Sequence, residues 1–416
     1  MEREAGHDRS TQDAEQPAPE SFDQKSARQE VGRVISTNFA VLLVGMNDAA
    51  TGVLIPYIQP TYQINLLQVS FIYLANFTGY VCACFSNIHV CARIGTGGTL
   101  VLGALIQCLG YSFMFWHPPV LLFVAAFFFT GMGVAYQDAQ ANTFTITINN
   151  AHRWLGILHA VYGTGTILAP LIANTIASRS PSWHLYYMVT LGLGIVNVAS
   201  LAWTFRRSLF KPNVSTAKDT AASEFKAVMK NRAVWILNGF FFLYAGVEVG
   251  LGGWLVQFLV SVRHGDPKKV GYVASGFWTG FTLGRVILAD ITHNLGERRM
   301  VFIYTALAVF MQLVFWLTPS IIANAVAVCL LGFFIGPFYP VGLYVLTEVI
   351  PQELHVGAIG FTASLGQAGA AAFPFMTGAI ASKAGVQVLQ PIMVALLLGI
   401  GLLWALVPRK RSIMLE

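Results

Sequence analysis

Residues 45–58 read GMNDAATGVLIPYI. From Val34 to Ile58 nearly every side chain would sit comfortably in lipid, and Asn47 and Asp48 are the chief exceptions. A helix rises about 1.5 Å per residue, so a stretch of this length crosses a hydrocarbon core. A carboxylate near its middle costs about 2.5–3.5 kcal/mol on insertion scales, so it belongs against a cavity or a partner.

The composition agrees with a membrane setting. Of 416 residues 55% are hydrophobic and 11% charged, where soluble domains carry about 25% charge. No alternating pattern long enough for a transmembrane β-barrel occurs. Apolar runs of span length fall near 34–58, 67–90, 98–116, 119–149, 155–179 and 183–205, then near 233–262, 269–292, 299–318, 321–349, 356–383 and 388–407. The expected fold is an all-α membrane protein of twelve transmembrane helices in two pseudo-symmetric six-helix bundles. Its divisions are a disordered tail (1–32), a first bundle (33–206), a basic linker (207–232), a second bundle (233–408) and a short tail (409–416).

Lysine and arginine set the orientation. With both termini in the cytosol, 19 of the 25 basic residues fall on the inner side and 5 on the outer side, with Arg285 inside a span. That imbalance is the positive-inside pattern, so the net charge of +6 is a topology signal and not a nucleic-acid footprint. The tail lacks the apolar core of a cleavable signal peptide, so the first span acts as its own insertion signal. Within the linker, Phe225, Val228 and Met229 share a helical face and suit a short helix on the inner membrane surface. The sequon Asn213–Ser215 lies in the same cytosolic linker, so no glycan is expected. The five cysteines lie in or beside apolar segments without metal-ligand spacing and read as buried packing thiols. Neither a metal nor a cofactor is expected.

An internal repeat supports two equivalent halves. PLIANTIASR (170–179) returns as PFMTGAIASK (374–383), 204 positions later. Asp48 with Gly52 returns as Glu248 with Gly252, at an offset of 200. Two different helix pairs repeat at nearly one spacing, as parallel six-helix halves require.

Few ionisable side chains fall inside the spans: Asp48, Asp138, Glu248 and His159, with Arg285, Asp290 and Glu348 nearer the inner ends. Three carboxylates without enough bases cannot all be ionised and dry. Some would hold a proton near neutrality and release it when the cavity opens to water, as a proton-coupling site must. The plainer reading is that each acid only hydrogen-bonds a neighbouring helix. Arg285, flanked by Asp290 and Glu348, suits a latch across the cytoplasmic gate, or else a static surface pair. The glycine clusters GMG (131–133), GTG (163–165) and GLGG (250–253) lack any phosphate-loop context and read as small-residue helix contacts. Pro170, Pro340 and Pro374 are expected to kink their helices. Trp254, Trp278 and Tyr339 are candidate cavity aromatics for a sugar-like or planar solute, with tight helix packing as the competing reading.

Taken together, these residues resemble the major facilitator superfamily. Its loop signature survives in part, as ARIGTGG (92–98) and HNLGERR (293–299), with Ala92 and His293 where the family has Asp. NDAATGVLIP (47–56), DAQANTF (138–144), YAGVEVGLGGWLV (244–256), FYPVG (338–342) and GQAGAAAFPFMTG (366–378) are similar to helices of the fucose–proton symporter branch and its fungal relatives. The resemblance implies proton coupling through Asp48 and Asp138, and a solute site that includes Asn47, Asn142, His159 and Glu248. The functional expectation is a secondary active transporter working by alternating access, not an enzyme. It would take up a sugar-like solute or export a metabolite, with proton-driven efflux of a fungal secondary metabolite and a non-transporting nutrient sensor as alternatives. The expected partners are a small-molecule substrate, protons ahead of sodium, and the lipid bilayer. The chain is expected to work as a monomer in the plasma membrane, with a vacuolar or other internal membrane as the alternative.

Overall fold

A computed structural model of the chain describes residues 22–148, 151–209, 226–351 and 354–408, and among these every regular element is helical. Helix α1 is Phe22–Tyr62. The stretch Leu66–Met114 folds over at Gly95 into α2 (66–94) and α3 (96–114). Then follow α4 (Val120–Ile146), α5 (Ala151–Arg179), α6 (Leu185–Phe205), α7 (Arg232–Ser261), α8 (Pro267–Leu295) and α9 (Glu297–Leu317). Span α10 (Ile321–Val349) is interrupted after Ile335 and resumes at Phe338, and α11 (His355–Ala384) and α12 (Leu389–Leu406) complete the set.

Ten stretches meet the length and hydropathy of a membrane crossing. Helices α8 and α11, of 29 and 30 residues, supply the other two. The apolar share of α8 is lowered by Lys268, Lys269, Arg285 and Asp290. Large apolar side chains face outward, among them Phe85 at 78%, Leu121 at 79% and Ile322 at 80% exposure, which only lipid makes favourable.

The connections follow from local chemistry. Asn65 caps α2 through reciprocal bonds with Gln68, and Asn231, Asp266 and Ser320 cap α7, α8 and α10. Gly95 (φ 72°) and Gly296 (φ 91°) occupy the left-handed region at equivalent turns of the two halves. That conformation is cheap only for glycine, which is why ARIGTGG and HNLGERR both keep it. In the second of these loops His293 Nδ1 lies 3.2 Å from Glu297 Oε1.

Helices α1–α6 pack with one another, as do α7–α12. Arg33 ties α1 to α6 through the Thr204 carbonyl and the Phe205 ring, and Arg298 ties α9 to the Val407 and Pro408 carbonyls at the end of α12. Between α8 and α10 a seam of Gly280, Gly284, Gly332 and Gly336 brings backbones into contact. A Cβ at Gly284 would lie 2.0 Å from the Phe333 carbonyl oxygen.

Several expectations change. Helix α1 begins at Phe22, inside the stretch expected to be unstructured. Residues 226–230 are helical, but Val228 is buried in the protein core and does not face a membrane surface, and Phe225 lies outside the described residues. So do the sequon and residues 409–416. Not all of the cysteines are buried: Cys82 on α2 is exposed, and the other four are half-buried. Pro170 and Pro374 lie inside unbroken helices, whereas the interruption in α10 lies four residues before Pro340.

The bundles meet along α1–α7, α2–α11 and α5–α8. These contacts run from mid-depth, where Gly163 lies against Thr282, to the end remote from both termini. There Gln257 donates to Gln59, Asn174 to the Lys268 carbonyl, and Thr175 pairs with the Tyr272 hydroxyl. The repeat-related Gly52 and Gly252 touch at this crossing, since a Cβ on Gly52 would lie 2.0 Å from the Gly252 carbonyl oxygen. Toward the terminal end, no extended packing joins α4 to α10 among the described residues. Among the described residues the bundles are therefore joined at the remote end and parted at the terminal end.

Candidate functional site

The open cleft leads to the acids. Asp48 stands at mid-depth on α1, one turn from the Gly52–Gly252 crossing, and receives two donors: Asn47 Nδ2 at 3.3 Å and the Tyr162 hydroxyl of α5 at 3.1 Å. Behind Asn47 runs a buried chain of donors, each pointing toward Asp48. Asn197 on α6 donates to Gln137 on α4, Gln137 to Gln107 on α3, Gln107 to the Tyr111 hydroxyl, and Tyr111 to Asn47 Oδ1. With its oxygen held by Tyr111, the Asn47 amide can present only its NH2 to the carboxylate. Hydrogen bonds aligned in this way strengthen one another in a low-dielectric interior.

Asp138 lies on α4, nearer the open end. Asn142, four residues on, reaches back to its carboxylate at 3.1 Å and to its carbonyl at 2.9 Å, and Tyr80 of α2 stands near it. The described mid-depth part of the first bundle supplies no Lys or Arg to either acid.

The facing wall differs. Glu248 on α7 is buried, one turn from Tyr244, and 3.8 Å from Arg285 Nη2 on α8. Arg285 also donates to the Tyr244 hydroxyl at 3.0 Å and to the Gly336 carbonyl at 3.3 Å. Its guanidinium covers the Phe281 ring at 4.2 Å and faces Tyr162 of the other bundle at 5.9 Å. Asp48, Asp138 and Glu248 lie within one electrostatic neighbourhood. His159 lies one turn from Tyr162 on α5, within the electrostatic field of Arg285. Half-buried Tyr339 borders the cleft on α10, tilted against Tyr244 and within the field of Asp138. No cluster suited to a metal occurs among the described residues.

The structure thus brings Asn47, Asp48, Asp138, Asn142, His159, Glu248 and Tyr339 to one cleft. It does not join Arg285 to Asp290 and Glu348 as a gate. Five residues along a helix turn the side chain by about 140°, so exposed Asp290 points away from the guanidinium. The ion pair and hydrogen bonds of Arg285 go to Glu248, Tyr244 and Gly336, not to half-buried Glu348. The two tryptophans are also relocated. Trp254 is wholly buried, donates its indole N–H to the Pro374 carbonyl and packs on Tyr73. Trp278 is buried against Gly252 and Phe281. Both belong to packed contacts at and beyond mid-depth and do not line the open cleft.

Sequence reasoning missed Tyr162, Tyr244, Tyr80 and the Gln107–Tyr111–Gln137–Asn197 chain. Three amides inside apolar runs were the available signal, because an unpaired amide in a membrane span is costly. The tyrosines gave none, since a membrane-interface belt uses the same residue.

The Major Facilitator Superfamily model matches residues 37–374 and 251–413. Bypass of stop codon protein 6 of Saccharomyces cerevisiae is 26% identical over 91% of this chain and 82% of its own length. The glucose/mannose transporter GlcP of Bacillus subtilis is 21% identical over 79% of this chain and 82% of its own. Among solved structures, that of the Escherichia coli fucose:proton symporter superposes with a TM-score of 0.65 at 15% identity, covering 91% of this chain and 99% of the other.

Proposed function

This chain belongs to the Major Facilitator Superfamily, and we propose that it carries a small uncharged polar solute, sugar-like in its hydroxyl content, coupled to protons held at Asp48 and Asp138. The observation that carries this reading is the asymmetry of the cleft. One wall bears two carboxylates with neutral donors only, while the other wall balances Glu248 with Arg285. Acids without counter-ions in a cleft that opens and closes to water are suited to binding and releasing protons as their surroundings change. Glu248, Tyr244, Asn47 and Tyr339 offer donors and acceptors beside aromatic faces, a combination that suits hydroxyl-rich solutes. The names of the glucose/mannose transporter and the fucose:proton symporter support this solute class and this coupling ion.

The positive-inside pattern assigns the end bearing the termini to the cytosol, so the conformation described is open inward and closed outward. Alternating access then requires the bundles to part at Gly52–Gly252 and to close beside Asp138 and Tyr339. The direction of net transport follows from the gradients.

The reading is tested with purified protein in liposomes under an imposed pH gradient, offered labelled neutral hexoses and, in parallel, organic anions. Accumulation of a hexose that depends on the gradient is expected. Accumulation of anions alone, or uptake indifferent to the gradient, would overturn it.

A further inference from the structure

The two prolines of α10 leave carbonyls without their in-helix donors. Pro337 has no N–H for Phe333, and Pro340 has none for Gly336. The Phe333 oxygen lies against the α-carbon of Gly284 on α8, where no side chain intervenes. The Gly336 oxygen takes its hydrogen bond from Arg285 Nε at 3.3 Å. The same guanidinium donates through Nη2 to the Tyr244 hydroxyl at 3.0 Å and pairs with Glu248 at 3.8 Å. One planar fork therefore joins an acid of the cleft to the interruption of α10.

We propose that Arg285 is a positioning residue that sets the bend of α10 according to the state of Glu248. While Glu248 is ionised and unoccupied, it holds the guanidinium by charge at 3.8 Å, and Arg285 in turn holds the Gly336 carbonyl. A proton on Glu248, or a solute hydroxyl bound to it, removes that attraction. The guanidinium turns away, the Gly336 carbonyl loses its donor, and segment Phe338–Val349 changes its angle, moving Tyr339 relative to Asp138 across the cytosolic mouth. Arginine suits the task because its donors point in several directions from one rigid plane; a lysine ammonium is a single centre. The inference rests on the transport reading for its purpose, but not for its measurement.

The test uses the full chain in lipid nanodiscs, without solute, on a background with its cysteines replaced. Spin labels are placed at Val286 on α8 and Tyr344 on α10, both exposed. A single dominant distance is expected for the parent. Glu248→Gln, which cannot ionise, should raise a second distance population by about fivefold or more, the size of shift a modest bias between two states produces. Arg285→Gln should give that second population whatever stands at 248, and Arg285→Lys should fall between. Adding Pro340→Ala to Arg285→Gln gives Gly336 an in-helix donor and should restore one distance. Unchanged distances in Glu248→Gln and Arg285→Lys would overturn the proposal. So would a double variant as heterogeneous as Arg285→Gln alone. Failure of the transport reading would abolish gradient-driven uptake by the parent and leave these distances as described.

Discussion

Replacing Gly52 by valine tests how the outer side closes. A Cβ there would lie 2.0 Å from the Gly252 carbonyl oxygen and 2.8 Å from the Gly253 α-carbon, where ordinary contact begins at 3.4 Å. The shortfall against the carbonyl, 3.4 less 2.0, is about 1.4 Å, and both obstacles are backbone that cannot rotate aside. Helices α1 and α7 must separate, or the closed state must bear an overpacking cost of about 1–3 kcal/mol. The outward-open state parts the same helices and bears none of that cost. At about 1.4 kcal/mol per tenfold, the balance should move roughly 5- to 150-fold toward outward-open. The assay is the rate at which a membrane-impermeant maleimide labels a single cysteine at Gln59, which lies at the closed bundle interface. Gly52→Val should speed labelling by that order, and Gly52→Ala should do so less. Gly192→Ala, where a Cβ meets nothing within 4 Å, should not change it. Parent-like labelling in Gly52→Val, with an unchanged melting temperature, would refute the reasoning.

Other outcomes follow from the same geometry. Asn174→Ala removes the bond to the Lys268 carbonyl across α5 and α8, about 0.5–1.5 kcal/mol, and should speed the same labelling by about 2- to 10-fold. Gln137→Leu strands Gln107 and Asn197 in a buried site, at about 1–3 kcal/mol for each orphaned group, and should lower the melting temperature measured in detergent. Tyr162→Phe removes one of the two donors to Asp48, about 1.5–3 kcal/mol for a bond to a charged group. It should cut gradient-driven accumulation by about tenfold or more while leaving the fold intact by circular dichroism. Trp254→Phe loses the indole bond to Pro374 and should reduce thermal stability, with solute KM within about twofold if the ring serves packing alone.

Much of the architecture is legible in residue order because lipid makes a single demand, apolar surface on closed helices. The offset between Asp48–Gly52 and Glu248–Gly252 even foretells a contact, since the two glycines meet where the halves cross. The acids are legible because a charge in a span is expensive. Their partners are not. Tyr162 lies 114 positions from Asp48, and Arg285 looks toward Glu248, not toward Asp290 on its own helix. Helical rotation, not sequence distance, decides which face meets the cleft, and that same rotation separates Arg285 from Asp290. Trp254 and Trp278 show the converse difficulty. A large aromatic ring is equally at home on a solute or in a groove, and here the glycines of α7 and the carbonyl of Pro374 provide the groove.

The central claim is that Asp48 and Asp138 bind the coupling proton, and proton movement driven by solute tests it most directly. Proteoliposomes held at equal pH on both sides are given an inward gradient of the accepted hexose, and external pH is followed in lightly buffered medium. The parent should alkalinise the medium as solute enters. Asp48→Asn and Asp138→Asn should lose that signal, and at least one should still exchange labelled for unlabelled solute. Alkalinisation of parental size in both variants would contradict the account.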